Sequence, residues 1–331
     1  MLRLPEFNYH APRSLTEAVR IIADLNRDAM VVAGGTDVYP KMKRGQFSPR
    51  HLVSLRAVQE LRGIDPNHKD GLWIGAGETL HSVANHRAIR EIAPALAQAA
   101  LSVAMAQIRN VATLGGNLLV DTRCNSYDQS YFWRQAAGFC LKKDGDRCLV
   151  APASKKCLAL FSSDTAPVLQ SLDARVVLDS RDGNRIVPVS ELYRNDGIDF
   201  CVRRRDELLR AIVVPRESFG WRSIYLKLRR RDSFDFPLLG VAAALNLERD
   251  GVCLGGRLIL GAVASSPIAV KEAELLAAKT IDAQLIELIA ESASRQAHPV
   301  DNADAGAWYR KRMTRVYVRR GLELLTASHP A

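Results

Sequence analysis

The sequence contains no apolar run that approaches the roughly 20 residues of a membrane-spanning helix. Its first residues, MLRLPEFNYHAPRS, include an acid and two prolines and lack the apolar core of a secretory signal. We therefore expect a cytoplasmic protein with no membrane partner. Zinc-finger Cys/His spacing and the aromatic strings of RNA-binding domains are also absent. The formal net charge of +10 on 331 residues is attributed mainly to dispersed surface charge, with some of it used for partners.

Cysteine is scarce, but four of the six cysteines fall within one stretch, residues 121–157. Thiols stay reduced in the cytoplasm, so this cluster favours a metal site over disulfides. Four thiolates suit either a structural zinc ion or a [4Fe-4S] cluster. The spacing matches neither the close pairs of zinc sites nor the dense run of ferredoxins, and it leaves the metal open. The candidate ligands are Cys124, Cys140, Cys148 and Cys157, whereas Cys201 and Cys253 are interpreted as small apolar residues.

Local patterns in the first two thirds predict mixed helices and strands. Ser14 and Glu17 stand at capping-box spacing at the start of an apolar face that continues to Leu25, which predicts a helix. AMVV and HLVSL read as short strands around a connection, as in a small βαβ layer. Hairpins are predicted at Asp70-Gly71 and Asp182-Gly183. Residues 81–103 read as a helix that is interrupted near Pro94.

LLRAIVVP predicts a strand that ends at Pro215. The final third, which follows it, has a different pattern. The segments WRSIYLKL and GVAAALNLERDGVCLGGRLILGAV, followed by two long helical patterns after Lys271, predict an antiparallel sheet with helices on one face. We place the domain boundary near residues 216–220.

Two pairs of adjacent glycines are candidates for contact with an anion. One pair lies in VVAGGTDV, residues 31–38, and the other in TLGGN, residues 113–117. Adjacent glycines after a strand allow the backbone to approach a ligand closely and to direct N–H groups at it. Neither pair fits the dinucleotide fingerprint of ordinary Rossmann folds or the P-loop. Together the two loops would suit the two phosphates of a dinucleotide, although a tight turn also explains each pair alone.

The order of the motifs VVAGGTDV, QIRNVATLGGN, DELLRAIVVP, YLKL and AWYRKRMTRVYVRRGLELL resembles the flavoprotein medium subunit of the molybdenum hydroxylases, the family of xanthine and carbon monoxide dehydrogenases. The resemblance covers essentially the whole chain. It implies an α+β protein with a vanillyl-alcohol-oxidase/PCMH-type FAD-binding domain at 1–217. A CO-dehydrogenase-flavoprotein-like C-terminal domain, an antiparallel sheet plus helices, would follow at 218–331. The four cysteines would occupy an insertion at about 122–160.

The resemblance also implies which residues contact FAD. In the family, the second glycine loop continues into a segment whose aspartate binds FAD. Here that segment resumes after the insertion and makes Asp164 the matching acid. Without the resemblance, Asp164 would be read as a helix N-cap and Lys227 as an outward strand residue. The implied cofactor-binding residues are Val31, Val32, Ala33, Gly34, Gly35, Thr36, Asp37, Val38, Thr113, Leu114, Gly115, Gly116, Asn117, Asp164, Leu209 and Lys227. No catalytic residue is predicted.

Within the family, an inserted four-cysteine loop is similar to that of the β subunit of 4-hydroxybenzoyl-CoA reductase. This implies that Cys124, Cys140, Cys148 and Cys157 hold a [4Fe-4S] cluster. Five cations, Lys142, Lys143, Arg147, Lys155 and Lys156, accompany the cysteines and would attract an acidic ferredoxin, or would simply face solvent. Tyr131, Phe132 and Trp133 are candidates to pack over the cluster.

The implied function is electron transfer through FAD and the cluster, with reduced ferredoxin as donor, in the reductive dehydroxylation of 4-hydroxybenzoyl-CoA to benzoyl-CoA. The substrate bond would be broken on a large molybdopterin subunit, and a small subunit would carry [2Fe-2S] clusters, in a dimer of heterotrimers. Two alternatives stay open at this point. One is the FAD subunit of an oxidative molybdenum hydroxylase, and the other is a basic zinc-containing nucleic-acid-binding protein.

Overall fold

A three-stranded parallel sheet forms the beginning of the fold. The structure is a computed structural model that describes residues 3–327, so the outer ends of the two predicted domains, residues 1–2 and 328–331, lie outside the described residues. The strands β1 (Asn8–His10), β2 (Ala29–Val32) and β3 (His51–Ser54) pair in the order β1-β3-β2. Helix α1 (Leu15–Leu25) connects β1 to β2, and α2 (Val38–Lys43) lies between β2 and β3. This arrangement confirms the predicted βαβ layer.

The first helix begins where the sequence predicts it. The Ser14 hydroxyl accepts a hydrogen bond from the backbone N–H of Glu17 at 3.2 Å. The reciprocal half of the capping box is not formed, because the Glu17 carboxylate accepts from the N–H of Arg13 instead. The apolar stripe of α1 packs on the sheet, with Ala18 and Ile22 fully buried.

A five-stranded antiparallel sheet follows. Its strands are β4 (Ile64–Asp65), β5 (Leu72–Gly75), β6 (Arg175–Ser180), β7 (Gly183–Pro188) and β8 (Leu208–Val214), and they pair in the order β4-β5-β8-β6-β7. Both predicted hairpins are present, and Gly71 (φ +127°) and Gly183 (φ +125°) supply the left-handed backbone that their turns require. Strand β8 ends directly before Pro215, as predicted.

Seven short helices lie between β5 and β6. The predicted interrupted helix at 81–103 has two interruptions, because His86 adopts an extended conformation and Ala93 also leaves the helical region before Pro94. The predicted break near Pro94 is therefore confirmed, and the break at His86 was not predicted. The helices are α3 (Leu80–Asn85), α4 (Arg87–Ile92), α5 (Pro94–Ser102), α6 (Ala106–Arg109), α7 (Leu114–Leu118), α8 (Tyr131–Ala136) and α9 (Thr165–Ser171).

The C-terminal region is an antiparallel sheet with two helices. The strands β9 (Arg222–Leu228), β10 (Leu239–Leu247), β11 (Val252–Gly261) and β12 (Ile268–Ala269) pair in the order β12-β11-β10-β9, and β13 (Lys279–Thr280) adds to β11. The helices are α10 (Ala283–Gln296) and α11 (Ala307–Thr326). None of the helices between residues 3 and 327 is both long and apolar enough to cross a membrane.

Both faces of this C-terminal sheet are buried. Along β10, Val241, Ala243 and Leu245 pack in the core with α10 and α11. The alternate residues Ala242 and Ala244 belong to the core of the first region, where α9 packs on β10 and α5 packs on the neighbouring strand β9. The period of two along a strand sends successive side chains to opposite faces, so a single strand serves both cores and joins the two regions.

Arg310 fixes α11 to the turns at the end of this sheet. Its side chain is fully buried. Nε donates to the carbonyl oxygen of Leu238 at 2.9 Å, Nη1 donates to that of Val300 at 3.2 Å, and Nη2 donates to that of Ala262. One side chain therefore satisfies three main-chain acceptors that come from separate loops.

We expect Arg310→Met to lower the free energy of unfolding by about 3 kcal/mol, because three buried carbonyls lose a charged donor. Urea unfolding followed by circular dichroism measures the change. Lys311→Met, one residue further along and exposed, is the control and should stay within about 0.5 kcal/mol of the parent. An Arg310→Met variant as stable as that control would show that α11 docks without these hydrogen bonds.

Candidate functional site

A cavity of about 990 Å³ lies between the first sheet, the second sheet and α7, at the upper end of the size range of small-molecule sites. Most of the predicted cofactor-binding residues line it. Val32 and Leu114 are instead buried behind its wall, and Lys227 points to Asp164 from behind the same wall. The predicted residues that line the cavity are Val31, Ala33, Gly34, Gly35, Thr36, Asp37, Val38, Thr113, Gly115, Gly116, Asn117, Asp164 and Leu209.

The first glycine loop follows β2 and offers its main chain to the cavity. Gly34 packs so tightly that an added Cβ would lie 2.0 Å from the carbonyl oxygen of Val111. Gly35 has a left-handed backbone (φ +72°), and a Cβ there would meet the ring of Tyr39 at 2.3 Å. Within residues 3–327, the N–H groups of Gly34, Gly35 and Thr36 donate to no main-chain carbonyl in the loops and turns. These N–H groups are the donors that an anion requires.

The second glycine loop is built differently. The N–H of Gly115 donates to the carbonyl oxygen of Ala76 at 2.8 Å, and that of Gly116 donates to the Thr113 hydroxyl at 3.1 Å. Asn117 Oδ1 accepts from the Thr165 hydroxyl at 2.7 Å and ties this loop to the segment after the insertion. The two glycine pairs are therefore not equivalent, because the N–H groups of the second pair already have acceptors within the fold.

Asp164 and Lys227 form a buried ion pair at the cavity wall. Lys227 Nζ lies 3.0 Å from Asp164 Oδ2 and also donates to the carbonyl oxygen of Ser102, while the Tyr225 hydroxyl donates to Asp164 Oδ1 at 2.8 Å. Asp164 occupies the N-cap position of α9 but makes no capping hydrogen bond. Burial raises the pKa of Asp164 and lowers that of Lys227, and each charge partly offsets the shift of the other.

Arginines in the cavity wall are functional candidates that the sequence analysis missed. Arg56, Arg62, Arg203 and Arg205 line the cavity, and in the described part of the chain none of them lies within 4.0 Å of a carboxylate. Every acidic side chain in the wall has a cationic partner. The unpaired positive charge therefore exceeds the unpaired negative charge, as an anionic dinucleotide requires. Arg203 and Arg205 belong to a run of three arginines that reads as ordinary surface charge, and no sequence signal marks Arg56 or Arg62.

Other wall residues come from segments with no assigned role in the sequence analysis. Phe234 and Phe236 stand half exposed at the cavity, and the guanidinium of Arg123 lies 3.6 Å from the ring centre of Phe236. Cys201 also lines the cavity, whereas Cys253 is fully buried in the second core. The motif QIRNV, which contains the wall residues Ile108 and Asn110, was the available signal for this part of the wall.

The four predicted metal ligands line a second, smaller cavity. Cys124, Cys140, Cys148 and Cys157 all contribute to its wall, together with Tyr127, Leu141, Lys142, Leu149, Val150, Leu158 and Ala159. All six cysteines of the chain are free thiols. Among the described residues, no group of three or more His, Cys, Asp or Glu side chains converges on a point as the ligands of a single metal ion do. The thiols instead stand around the wall of one shared space.

Backbone pairing closes the insertion at its base. Arg123 and Leu160 exchange hydrogen bonds in both directions, at 2.7 and 2.6 Å. Burial raises the pKa of the Cys157 thiol to about 11, although the nearby Lys142 charge acts in the opposite direction. Binding of a metal would displace the protons of the cysteine thiols, because the thiolate is the form that binds metal.

The aromatic residues of the insertion do not cover the cysteines, and that expectation was wrong. They lie on α8, where the Ser130 hydroxyl caps the helix by accepting from the N–H of Trp133. Phe132 is 80% exposed, and Tyr131 packs against Phe139 instead. The apolar cover of the cysteine cavity comes from Leu141, Leu149, Val150 and Leu158.

Comparison with known families and proteins gives matches along almost the whole chain. Residues 5–217 match the model of the FAD binding domain in molybdopterin dehydrogenase, and residues 223–325 match the CO dehydrogenase flavoprotein C-terminal domain. The carbon monoxide dehydrogenase medium chain of Afipia carboxidovorans is 28% identical over 318 residues, which cover 96% of each chain. The aldehyde oxidoreductase FAD-binding subunit PaoB of Escherichia coli is 31% identical and covers 81% of this chain and 85% of its own.

The fold also matches a solved structure along almost its whole length. A chain of reconstituted CO dehydrogenase from Oligotropha carboxidovorans superposes with a TM-score of 0.81 at 26% identity. The match covers 99% of this chain and 100% of that chain. The expected fold class, a PCMH-type FAD-binding domain followed by a CO-dehydrogenase-flavoprotein C-terminal domain, is thereby confirmed.

We expect Gly35→Val to lose most of its FAD, because its Cβ would collide with the ring of Tyr39 and displace the first loop where it lines the cavity. Gly45→Val is the matched control. Gly45 has nearly the same φ (+69°) but no heavy atom closer than 3.8 Å to an added Cβ. Both variants carry a similar backbone strain of about 1–2 kcal/mol, so flavin absorbance per protein separates the two effects. Equal flavin content in the two variants would refute the role of the first loop.

We expect Asp164→Asn to lose flavin and about 3 kcal/mol of stability, because Lys227 is left buried and unpaired. The double variant Asp164→Asn/Lys227→Met removes both charges and should regain the stability without regaining the flavin. Thermal unfolding and flavin titration measure the two quantities. A double variant that binds FAD like the parent would assign the pair a purely structural role.

Proposed function

The chain belongs to the family of FAD-binding medium subunits of the molybdenum hydroxylases and is therefore an oxidoreductase subunit, and we propose a more specific role within that family. The protein is the FAD- and [4Fe-4S]-containing β subunit of 4-hydroxybenzoyl-CoA reductase. Its task is electron transfer in the reductive dehydroxylation of 4-hydroxybenzoyl-CoA to benzoyl-CoA. Family membership removes the alternative of a zinc-containing nucleic-acid-binding protein.

The observation that carries this proposal is the cavity lined by all four cysteines of one closed insertion. In a four-iron cluster each thiolate binds a different iron atom, so the ligands surround a space. A zinc ion instead draws four sulfur atoms to within about 2.3 Å of one point. The arrangement of thiols around a shared cavity supports the cluster. A redox-inert zinc ion would also add nothing to electron transfer by a flavin subunit.

The larger cavity fits FAD by the chemistry of its wall. The main-chain N–H groups of Gly34, Gly35 and Thr36 would meet the diphosphate, and the unpaired arginines supply compensating positive charge. Leu209 would contribute an apolar contact, and the Asp164 carboxylate is held in place by Lys227. When bound, FAD accepts or gives one or two electrons. We place the FAD-binding domain at 1–217 and the C-terminal domain at 218–331.

The proposed partners follow from the same assignment. A large molybdopterin subunit would carry the substrate site, and a small subunit would carry the [2Fe-2S] clusters, in a dimer of heterotrimers. Reduced ferredoxin would deliver electrons at the cysteine site. Arg147, Lys155 and Lys156 are exposed on the insertion and give it the positive charge that favours an acidic donor. No catalytic residue is assigned to this chain.

A second candidate is the FAD subunit of an oxidative molybdenum hydroxylase. The functions of the relatives favour it, because the similar chains serve carbon monoxide dehydrogenase and aldehyde oxidoreductase. The direction of turnover distinguishes the two candidates.

We expect the purified complex to contain iron and sulfide at the cysteine site and no zinc. Cys148→Ser should lose that iron while it keeps its FAD, because one of the four ligands is removed from a cavity separate from the flavin cavity. Cys253→Ser, in the second core, is the control and should keep both. Metal analysis and flavin absorbance decide the outcome. Stoichiometric zinc, or full iron in the Cys148→Ser variant, would contradict the cluster.

The complex isolated with its partner subunits should convert 4-hydroxybenzoyl-CoA to benzoyl-CoA with reduced ferredoxin, and the Cys148→Ser complex should not. Product analysis by chromatography measures this. A complex that carries the cluster but only hydroxylates substrates in the oxidative direction would select the second candidate.

A further inference from the structure

The flavin cavity and the cysteine cavity are lined by adjacent residues of the chain at two places. At the first, Arg123 lines the flavin cavity and the next residue, Cys124, lines the cysteine cavity. At the second, an added Cβ on Gly197 would lie 2.7 Å from Cys157 Sγ, and the next residue, Ile198, lines the flavin cavity. The segments 121–124 and 197–198 therefore form a wall between the two cavities.

A buried lysine stands in this wall on the cysteine side. Lys142 lines the cysteine cavity, and its side chain is 7% exposed. Its ammonium group donates to Asp121 Oδ1 at 2.7 Å, to the Thr122 hydroxyl at 2.5 Å and to the carbonyl oxygen of Gly197 at 2.6 Å. All three acceptors belong to the two chain segments that form the wall.

The charges continue to the flavin side. Asp121 lines the flavin cavity, and its Oδ2 accepts from the fully buried Lys41 at 2.5 Å and from the Tyr127 hydroxyl at 3.1 Å. Lys41 in turn lies 3.7 Å from Asp37 of the first glycine loop. We call Lys142, Asp121, Lys41 and Asp37 the charge bridge. It runs from the cysteines to the loop that is proposed to hold the diphosphate.

Packing alone does not require these charges. Removing an ammonium group from water is unfavourable, and apolar residues of similar volume often stabilise a core as well as a buried ion pair does. Lys142 also differs from its neighbour Lys143, whose side chain is 40% exposed and pairs with Asp144 at 3.2 Å. The sequence places two lysines side by side, and only the first is directed into the wall between the cavities.

We propose that Lys142, held in place by Asp121, raises the reduction potential of the four-cysteine site by placing a fixed positive charge beside it. This inference rests on the proposed [4Fe-4S] cluster. Reduction adds a negative charge to a site that four thiolates already make anionic, and a buried cation at short range favours that state.

The test compares Lys142→Gln with Lys143→Gln in the complete complex, after the iron and flavin content of each has been measured. We expect Lys142→Gln to retain both cofactors and to show a tenfold lower equilibrium constant for reduction of the cluster, a midpoint about 59 mV more negative. Redox titration followed by electron paramagnetic resonance gives this value. Lys143→Gln should match the parent complex. Equal midpoints in the parent and the Lys142→Gln complex would overturn the proposal.

A third variant, Lys142→Arg, keeps the positive charge. It makes the result interpretable if Lys142→Gln loses the cluster. Iron retained in Lys142→Arg but lost from Lys142→Gln shows that the positive charge is required, which supports the proposal. Loss of iron from both variants shows that only the shape of lysine matters and overturns it. A parent complex without iron at the four-cysteine site, beyond that of the [2Fe-2S] clusters, would instead refute the proposed function.

Discussion

The ion pair between Asp164 and Lys227 joins the two regions of the molecule at the wall of the flavin cavity. Asp164 comes from the start of α9 in the first region, and Lys227 comes from β9 in the second. Both side chains are nearly inaccessible to water, so each charge depends on the other. Losing one member of such a pair typically costs about 3–5 kcal/mol. The relative position of α9 and β9, and with it one wall of the cavity, is fixed by this dependence.

Pairing of buried charges also determines the electrostatic character of the cavity. Burial acts to raise the pKa of Asp121, but Lys142 and Lys41 together outweigh it and hold the pKa below its usual value. Asp121 therefore stays ionised inside the wall. The carboxylates of the wall are paired with cations of the protein itself. Arg56, Arg62, Arg203 and Arg205 therefore present positive charge to a bound molecule. The fold thus prepares a site for an anion although acids and arginines are equally common in its wall.

Local chemistry made much of the fold predictable, and long-range contacts set the limit. Ser14 marks the start of α1 because its hydroxyl bonds within the same turn, and Gly71 marks a hairpin because its backbone is left-handed. Strand alternation alone would make Lys227 an outward residue, yet its partner Asp164 is distant in sequence and turns it inward. Nothing local distinguishes Lys142 from Lys143, since the acceptors Asp121 and Gly197 reach Lys142 only in the folded chain. The two glycine loops of the cavity were identified as cofactor-binding by the resemblance of the ordered motifs. The local sequence pattern alone would leave each of them as an ordinary turn.

The paired ends of the insertion bear on how such a segment is inherited. Arg123 and Leu160 are hydrogen-bonded neighbours, so residues 124–159 leave the host fold and return to it at the same place. The entropy of closing a loop rises slowly, by about 0.6 kcal/mol for each doubling of length. A flavin domain can therefore gain or lose the whole segment at this point while the chain on either side keeps its course, and the contacts of Lys142 with Asp121 and Gly197 are gained or lost with it. Selection can then act on the inserted residues for redox properties while the host domain continues to be selected for binding its cofactor.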